Sequence, residues 1–339
     1  MLRHTVLIAA VAVCAAGICG TASAQSYPSK PIRIIVPFPA GGTSDILTRL
    51  IGAKLTEIWG QQVLPDNRPG ANGNIGADVV ARAAPDAYTL VLMDVGNLAI
   101  SPSLFAKLPF DILRDFAPVT VVSYSPHILA SHPSMPARTV KEVIALAKSR
   151  PGKLNYATGL GGAPHLAGLM FAYRTGIQWA YIPTKGGFAN ILITTTGEAD
   201  LLFNGMLATL PHTKSGRLRL IAVSSEKRFP TLPDTPVVAE TPGLEGFVTG
   251  SWQGVLAPAK TPPELVARLQ AEMGERFNTF YGEDVYAFRF LLVGKPAYIK
   301  THPQEIRRVL QALIAATRSG HWFIDGLSPR AGIAVLRVA

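Results

Sequence analysis

From Ile32 to Ala257, short apolar runs of four to six residues alternate with longer segments in which apolar residues recur at helical spacing. A chain with this rhythm buries both kinds of element most readily as a largely parallel sheet with helices on its faces. Ile32–Val36, Thr89–Met93, Leu154–Ala157, Leu218–Val223 and Gly254–Ala257 are the predicted strands. Ile46, Leu47, Leu50, Ile51, Leu55 and Ile58 mark a helix with one apolar face, stopping at Gly60. Thr139 with Glu142 and Thr261 with Glu264 have capping-box spacing, in which the hydroxyl accepts an early backbone N–H and the carboxylate reaches back. Pro262 is placed at a first helical position, where its missing N–H costs nothing.

The first strand ends in "PFPAGG" and passes through Thr43-Ser44-Asp45 into its helix. Such a junction delivers the free N–H groups of a helix to the carboxyl end of a sheet, and glycines without Cβ atoms let a ligand approach the backbone. An anion placed there gains typically ~0.3 to 1 kcal/mol per interaction from the helix dipole. A single Gly-Gly is equally an ordinary tight turn, but Leu154–Phe171 repeats strand, glycine loop and helix, with Gly161-Gly162 following Gly41-Gly42 by 120 residues. Two sockets, one per domain, can hold a small acid across a cleft and sequester it when the domains close. Neither loop has the Gly-Lys-Ser/Thr ending of a phosphate loop, and the dinucleotide pattern G-x-G-x-x-G with its later acidic residue is missing, so nucleotides are poor candidates.

The first 24 residues carry an address. Arg3 precedes an apolar run from Val6 to Ile18, and Ala22-Ser23-Ala24 has the small-x-small form of a signal-peptidase site, so a secreted mature chain from Gln25 is expected. The run is shorter than the roughly 20 residues that a membrane span needs. Both cysteines, Cys14 and Cys19, lie in this leader, which removes disulfides, cysteine nucleophiles and thiolate metal sites from the mature chain. The formal net charge of +10 falls by one, to +9, with the loss of Arg3. Its Lys and Arg residues are dispersed without interleaved aromatics, which suits anionic solutes better than a nucleic acid. No G-x-S-x-G elbow and no H-E-x-x-H is present, and no active site assembles from the sequence. His165 reads as a ligand contact, a general base or a structural residue, and Asp45 as a ligand contact or a complement to the helix dipole.

"YPSKPIRIIVPFPAGGTSDILTRLIGAKL", "VLPDNRPGANGNIGADVVARAAPDAYTL", "KLPFDILRDFAPV", Arg150–Ala157, "IPTKGG" and "LPDTPVVAE" together resemble the Bug family, the substrate-binding proteins of tripartite tricarboxylate transporters, collinearly from Tyr27 to about Met273. The resemblance implies an α/β, two-domain periplasmic binding protein of type II, a Venus-flytrap with mixed, mostly parallel sheets and flanking helices. It implies a small carboxylate ligand, no metal or cofactor, no catalysis, and membrane subunits of a secondary transporter, or a sensor kinase, as partners of a monomer. Its ligand loops map onto Phe38, Ala40, Gly41, Gly42, Thr43, Ser44 and Asp45, with Asn72, Gly73 and Asn74 opening the next helix. From the second domain come Thr158, Gly159, Gly161, Gly162 and His165, then Pro183, Thr184, Lys185 and Gly186, and Asn204 near an acidic family position. Lys185 is the cation nearest that site in sequence, and is equally read as a solvated surface charge.

Several positions depart from the family. The second glycine loop is one residue shorter and carries Pro164 before His165, Thr184 stands for a usual Tyr, and "FNGM" at Phe203–Met206 stands for F-D-N. After Met273 the chain leaves the family pattern, and Val293–Thr317 looks more like the end of an ABC-type sulfonate or thiamine-precursor binding protein. The family topology divides the chain into a leader, 1–24, a discontinuous first domain, 25–122 plus 246–339, and a second domain, 123–245. A secreted hydrolase using Ser44 or His165 and a sensory module serving a histidine kinase are the rival readings, and the sequence does not name the acid.

Overall fold

The computed structural model describes residues 27–277, 323–327 and 334–337, so the leader and most of the tail after Met273 lie outside the described residues. Eight of nine strands form one continuous path of pairings, the ninth branches from it, and together they fall into two lobes. In the first lobe β1 (Ile32–Val36) pairs in parallel with β2 (Val63–Asn67) and β3 (Thr89–Asp94). β3 pairs antiparallel with β9 (Gly250–Pro258), which pairs antiparallel with β4 (Phe116–Ser131). In the second lobe the far half of β4 takes β7 (Leu201–Gly205) and β8 (Arg219–Val223), and β7 continues in parallel to β5 (Asn155–Thr158) and β6 (Ala180–Pro183).

β4 is the element that joins the lobes. Its sixteen residues run without a break from one sheet into the other, with register slips at Pro118/Thr120 and Val121/Ser123 inside the ladder with β9, which continues to Pro126. Such irregularities bend a strand and increase its twist. Among the described residues Phe323–Leu327 and Ala334–Arg337 pair separately as β10 and β11.

Helices cover both lobes: α1 (Thr43–Trp59), α2 (Asn74–Ala81), α3 (Val140–Ser149), α4 (Ala163–Thr175), α5 (Gly187–Thr195), α6 (Met206–Lys214) and α7 (Pro263–Phe277). α1 ends at Gly60 in the left-handed conformation, as the sequence predicts, and packs Leu47, Ile51 and Leu55 with Ile32, Ile34, Leu90 and Leu92. Leu50, expected on that face, is 58% exposed, and Ile46 turns to the second lobe's cluster around Ala130 and Leu202. The apolar stripe is therefore narrower than the run suggested, and one edge of it belongs to the neighbouring lobe. The second core gathers Tyr156, Phe171, Trp179, Phe203 and Phe247, with Tyr156 stacked on Trp179 at 4.6 Å between centroids.

The capping box at Thr139 forms as expected, its hydroxyl accepting the Glu142 N–H at 3.2 Å while Glu142 accepts the Thr139 N–H at 3.2 Å. The second box does not. α7 starts at Pro263, one residue later than the sequence placed it, so Pro262 precedes the helix and the buried Thr261 hydroxyl has no hydrogen-bond partner.

Candidate functional site

The two glycine loops have nearly the same backbone. Gly41 and Gly161 have φ of 84° and 80°, a left-handed conformation that glycine adopts without strain. Gly42 and Gly162 follow as N-caps of α1 and α4, with φ, ψ of −80°, 170° and −84°, 168°. Each loop is tied by the side chain four residues on: the Gly41 N–H donates to Asp45 Oδ2 at 2.9 Å, and the Gly161 N–H to His165 Nδ1 at 3.2 Å. Asp45 and His165 are themselves 120 residues apart, so the repeat extends to these tying residues.

Both side chains are thereby turned to the loop. Burial alone would raise the Asp45 carboxyl, but hydrogen bonds from Arg49 and the Gly41 N–H outweigh it and hold it below its ordinary value. Burial lowers His165, whose ring packs edge-on to Tyr181 at 5.4 Å. Its Nδ1 accepts the Gly161 N–H, and no hydrogen bond joins His165 to Ser44 among the described residues.

A cavity of about 90 Å³ lies between the lobes. At about 10–15 Å³ per water it accommodates roughly six to nine water-sized groups, the scale of a small organic acid. Four helices end on it. The N-caps of α1, α4, α5 and α6 are Gly42, Gly162, Gly186 and Gly205, all in the cavity wall, and none is capped by a side chain. In α1 the first intrahelical bond is Ile46 N–H to Gly42 O at 3.0 Å, leaving the preceding N–H groups without intrahelical acceptors. Each such end carries partial positive charge equivalent to roughly half a unit. Among the described residues the wall contains no Lys or Arg, and Asp94 is its one formally charged side chain.

Of the residues predicted for the site, Phe38, Gly42, Thr43, Ser44, Asn72, Gly159, Gly162, Gly186 and Asn204 line this cavity. Ala40, Pro183 and Lys185 are exposed outside it. Gly41, Asp45, Gly161 and His165 build the loops behind the wall, and Thr158 is buried at the end of β5. Gly73 is the left-handed N-cap of α2, and the buried Asn74 has neither side-chain polar atom hydrogen-bonded. Thr184 holds the third loop, accepting the Gly186 N–H at 3.2 Å and meeting Asn190 Oδ1 at 2.5 Å.

The wall also contains Pro39, Asp94, Pro164, Gly187, Phe188, Asn190, Gly205, Ser251 and Gln253, which the sequence reading did not select. Asp94 lies one residue beyond a predicted strand, at its carboxyl end, a position that could have drawn attention to it. Ser251 and Gln253 are two apart on β9 and so share a face, but nothing local distinguishes them. Asn190 and Asn204 bond one another at 3.4 Å, and Asn204 also donates to Gly187 O at 3.1 Å and Thr209 Oγ1 at 2.9 Å, fixing the ends of α5 and α6.

The lobes touch around the cavity. Asn72, left-handed at φ 54°, donates from Nδ2 to Gly161 O at 3.2 Å. A methyl group on Gly41 would lie 3.0 Å from the Phe188 ring, and one on Gly161 2.2 Å from Leu104. These contacts bring the two lobes together beside the cavity. Burial pushes the Asp94 carboxyl up to about 6, against the effect of the Asn97 and Gly96 N–H groups. No cluster of His, Cys, Asp and Glu suited to a metal ion occurs among the described residues, and no helix there is long and apolar enough to cross a membrane.

The sequence pattern of the tripartite tricarboxylate transporter family receptor matches residues 47–280. The protein BugT of Bordetella pertussis is 36% identical over 280 residues, 82% of this chain and 86% of that one. Among solved structures, R. palustris Rpa4515 with adipate superposes with a TM-score of 0.74 at 32% identity, covering 86% of this chain and 96% of that one. MatC from Rhodopseudomonas palustris with bound malate gives 0.71 at 27% identity, covering 86% and 99%. These structures share the two-lobed architecture of type II periplasmic binding proteins. Because the match spans more than half of its length, the chain belongs to the tripartite tricarboxylate transporter receptors, a family of periplasmic solute-binding proteins.

Proposed function

We propose that this receptor captures a small carboxylate in the cavity between its lobes and presents the closed form to the membrane subunits of a secondary transporter. The observation that carries the reading is the convergence of four glycine-capped helix N-termini on a cavity of about 90 Å³ without a Lys or Arg in its described wall. Backbone N–H groups and helix dipoles are suited to carboxylates, and glycine caps leave those N–H groups to the ligand instead of to a side chain. The adipate and malate named with two structural neighbours support the same ligand class.

In this reading the protein has no catalysis of its own, is exported by residues 1–24 and acts as a monomer in the periplasm. Its two bodies are 25–122 with 246 onward, and 123–245, and closure bends the chain where β4 and the segment before β9 pass between them. Of the twenty residues named from the sequence, all but the exposed Ala40, Pro183 and Lys185 serve the site as wall or as support for it.

A thermal-shift screen of the protein against citrate, succinate, glutamate, nicotinate, phthalate, terephthalate and adipate tests this function. An acid at 100 times its dissociation constant adds about 2.7 kcal/mol to stability, a readily visible rise in melting temperature. A rise with one acid that disappears on Gly162→Leu is the expected result. A cooperative melt that no carboxylate moves, at millimolar concentrations across the panel, contradicts it.

A further inference from the structure

Asp94 ends β3 with one carboxylate oxygen engaged and the other unengaged. Oδ1 accepts the Gly96 N–H at 2.8 Å and the Asn97 N–H at 3.2 Å, which fixes the carboxyl plane. Oδ2 accepts no hydrogen bond among the described residues, and Asp94 takes part in none of the ion pairs found there. The residue lines the cavity as its only formal charge among the described residues.

The remainder of the wall has the opposite character. Helix N-termini present partial positive charge. Gln253, 1% exposed and part of the wall, has its Oε1 occupied by the Ser123 hydroxyl, which leaves its amide N–H₂ as a further donor. The wall thus offers donors for a negative group on most sides and one anionic acceptor at the end of β3. A ligand bearing only carboxylates leaves Oδ2 without a donor and sets like charges together in a small enclosed space, and both effects oppose binding. A hydroxyl satisfies Oδ2, and an ammonium also neutralises it.

We infer that the ligand of this receptor is a carboxylate that also carries a hydrogen-bond donor, in the first place an ammonium, and that Asp94 Oδ2 receives this donor. The inference rests on the carboxylate-receptor reading and narrows it: Asp94 selects among acids that the helix ends would otherwise admit alike.

Calorimetric titration of the protein with matched series tests it: succinate, malate and aspartate; glutarate, 2-hydroxyglutarate and glutamate; adipate and 2-aminoadipate. In at least one series the amino or hydroxy acid is expected to bind at least tenfold more tightly than the bare diacid. In Asp94→Asn, which keeps an Oδ1 acceptor for the Gly96 and Asn97 N–H groups, that preference should shrink at least tenfold. Bare diacids binding as tightly as or more tightly than their substituted partners in the unaltered protein overturn the inference while leaving the receptor reading intact. This comparison needs no variant, so a misfolded Asp94→Asn does not obscure it. Absence of binding by every acid of these series and of the thermal-shift panel overturns both readings.

Discussion

Asp94 and His127 are enclosed titratable side chains whose contributions to acid stability have opposite signs. Burial pushes Asp94 up to about 6 from 3.8, so the folded protein binds the proton more readily than the unfolded chain between those values. Its buried charge is therefore a burden above pH 6 that is relieved as pH falls towards 4. Burial pulls His127 down to about 3 from 6.5; the neutral ring, held by Thr249 at 3.1 Å and Ser251 at 3.0 Å, contributes stability above pH 6.5 that is lost as pH falls. Comparing the protein with Asp94→Asn by chemical denaturation cancels His127. The variant is expected to be the more stable at pH 7.5, by at most roughly 3 kcal/mol at about 1.4 kcal/mol per unit, with the difference narrowing by pH 4.5. A difference independent of pH contradicts the burial of this charge. Neither residue was selected from the sequence, because burial of a lone Asp or His is set by what folds over it and not by its neighbours in the chain.

At the scale of elements, helix ends divide into two kinds. α3 carries a complete capping box away from the cavity, and Thr139→Ala should lower stability by about 1 kcal/mol, seen in denaturant unfolding, without changing ligand affinity. The glycine-capped ends should behave in reverse. Gly42 has an ordinary φ of −80°, and a Cβ there meets only Pro39 O at 3.7 Å. Gly42→Leu should thus fold with a melting temperature close to the original while acid binding falls at least tenfold in calorimetry. Both glycine pairs were legible in the sequence because each interrupts an apolar run just before a helical pattern. Gly205 plays the same part without being legible, since "LLFNGMLATL" is apolar on both sides of a single glycine. The Thr261 box failed for a related reason: spacing alone does not say which of two consecutive prolines opens the helix, and here it is Pro263.

For the whole molecule, the alternation of elements predicted α/β lobes, but the strand joining them was not found. Phe116–Ser131 contains two prolines and several polar residues and lacks a clean period, because its two halves are buried by different sheets. Lobe closure was likewise a matter of contacts between distant segments. Asn72 to Gly161 O spans the cleft, and Asn72→Gly keeps the left-handed backbone while removing that bond. Weaker acid binding and a larger radius of gyration without ligand, measured by solution scattering, are expected; an unchanged radius and affinity would mean that this bond does not bias closure. Whether helix N-termini hold the acid inside the cavity is decided by a crystal structure with the acid found in the screen. Carboxylate oxygens are expected about 2.7–3.2 Å from backbone N–H groups at the starts of α1, α4, α5 or α6. An acid bound outside this cavity, or held in it by side-chain cations alone, would show that the helix ends are not the binding groups.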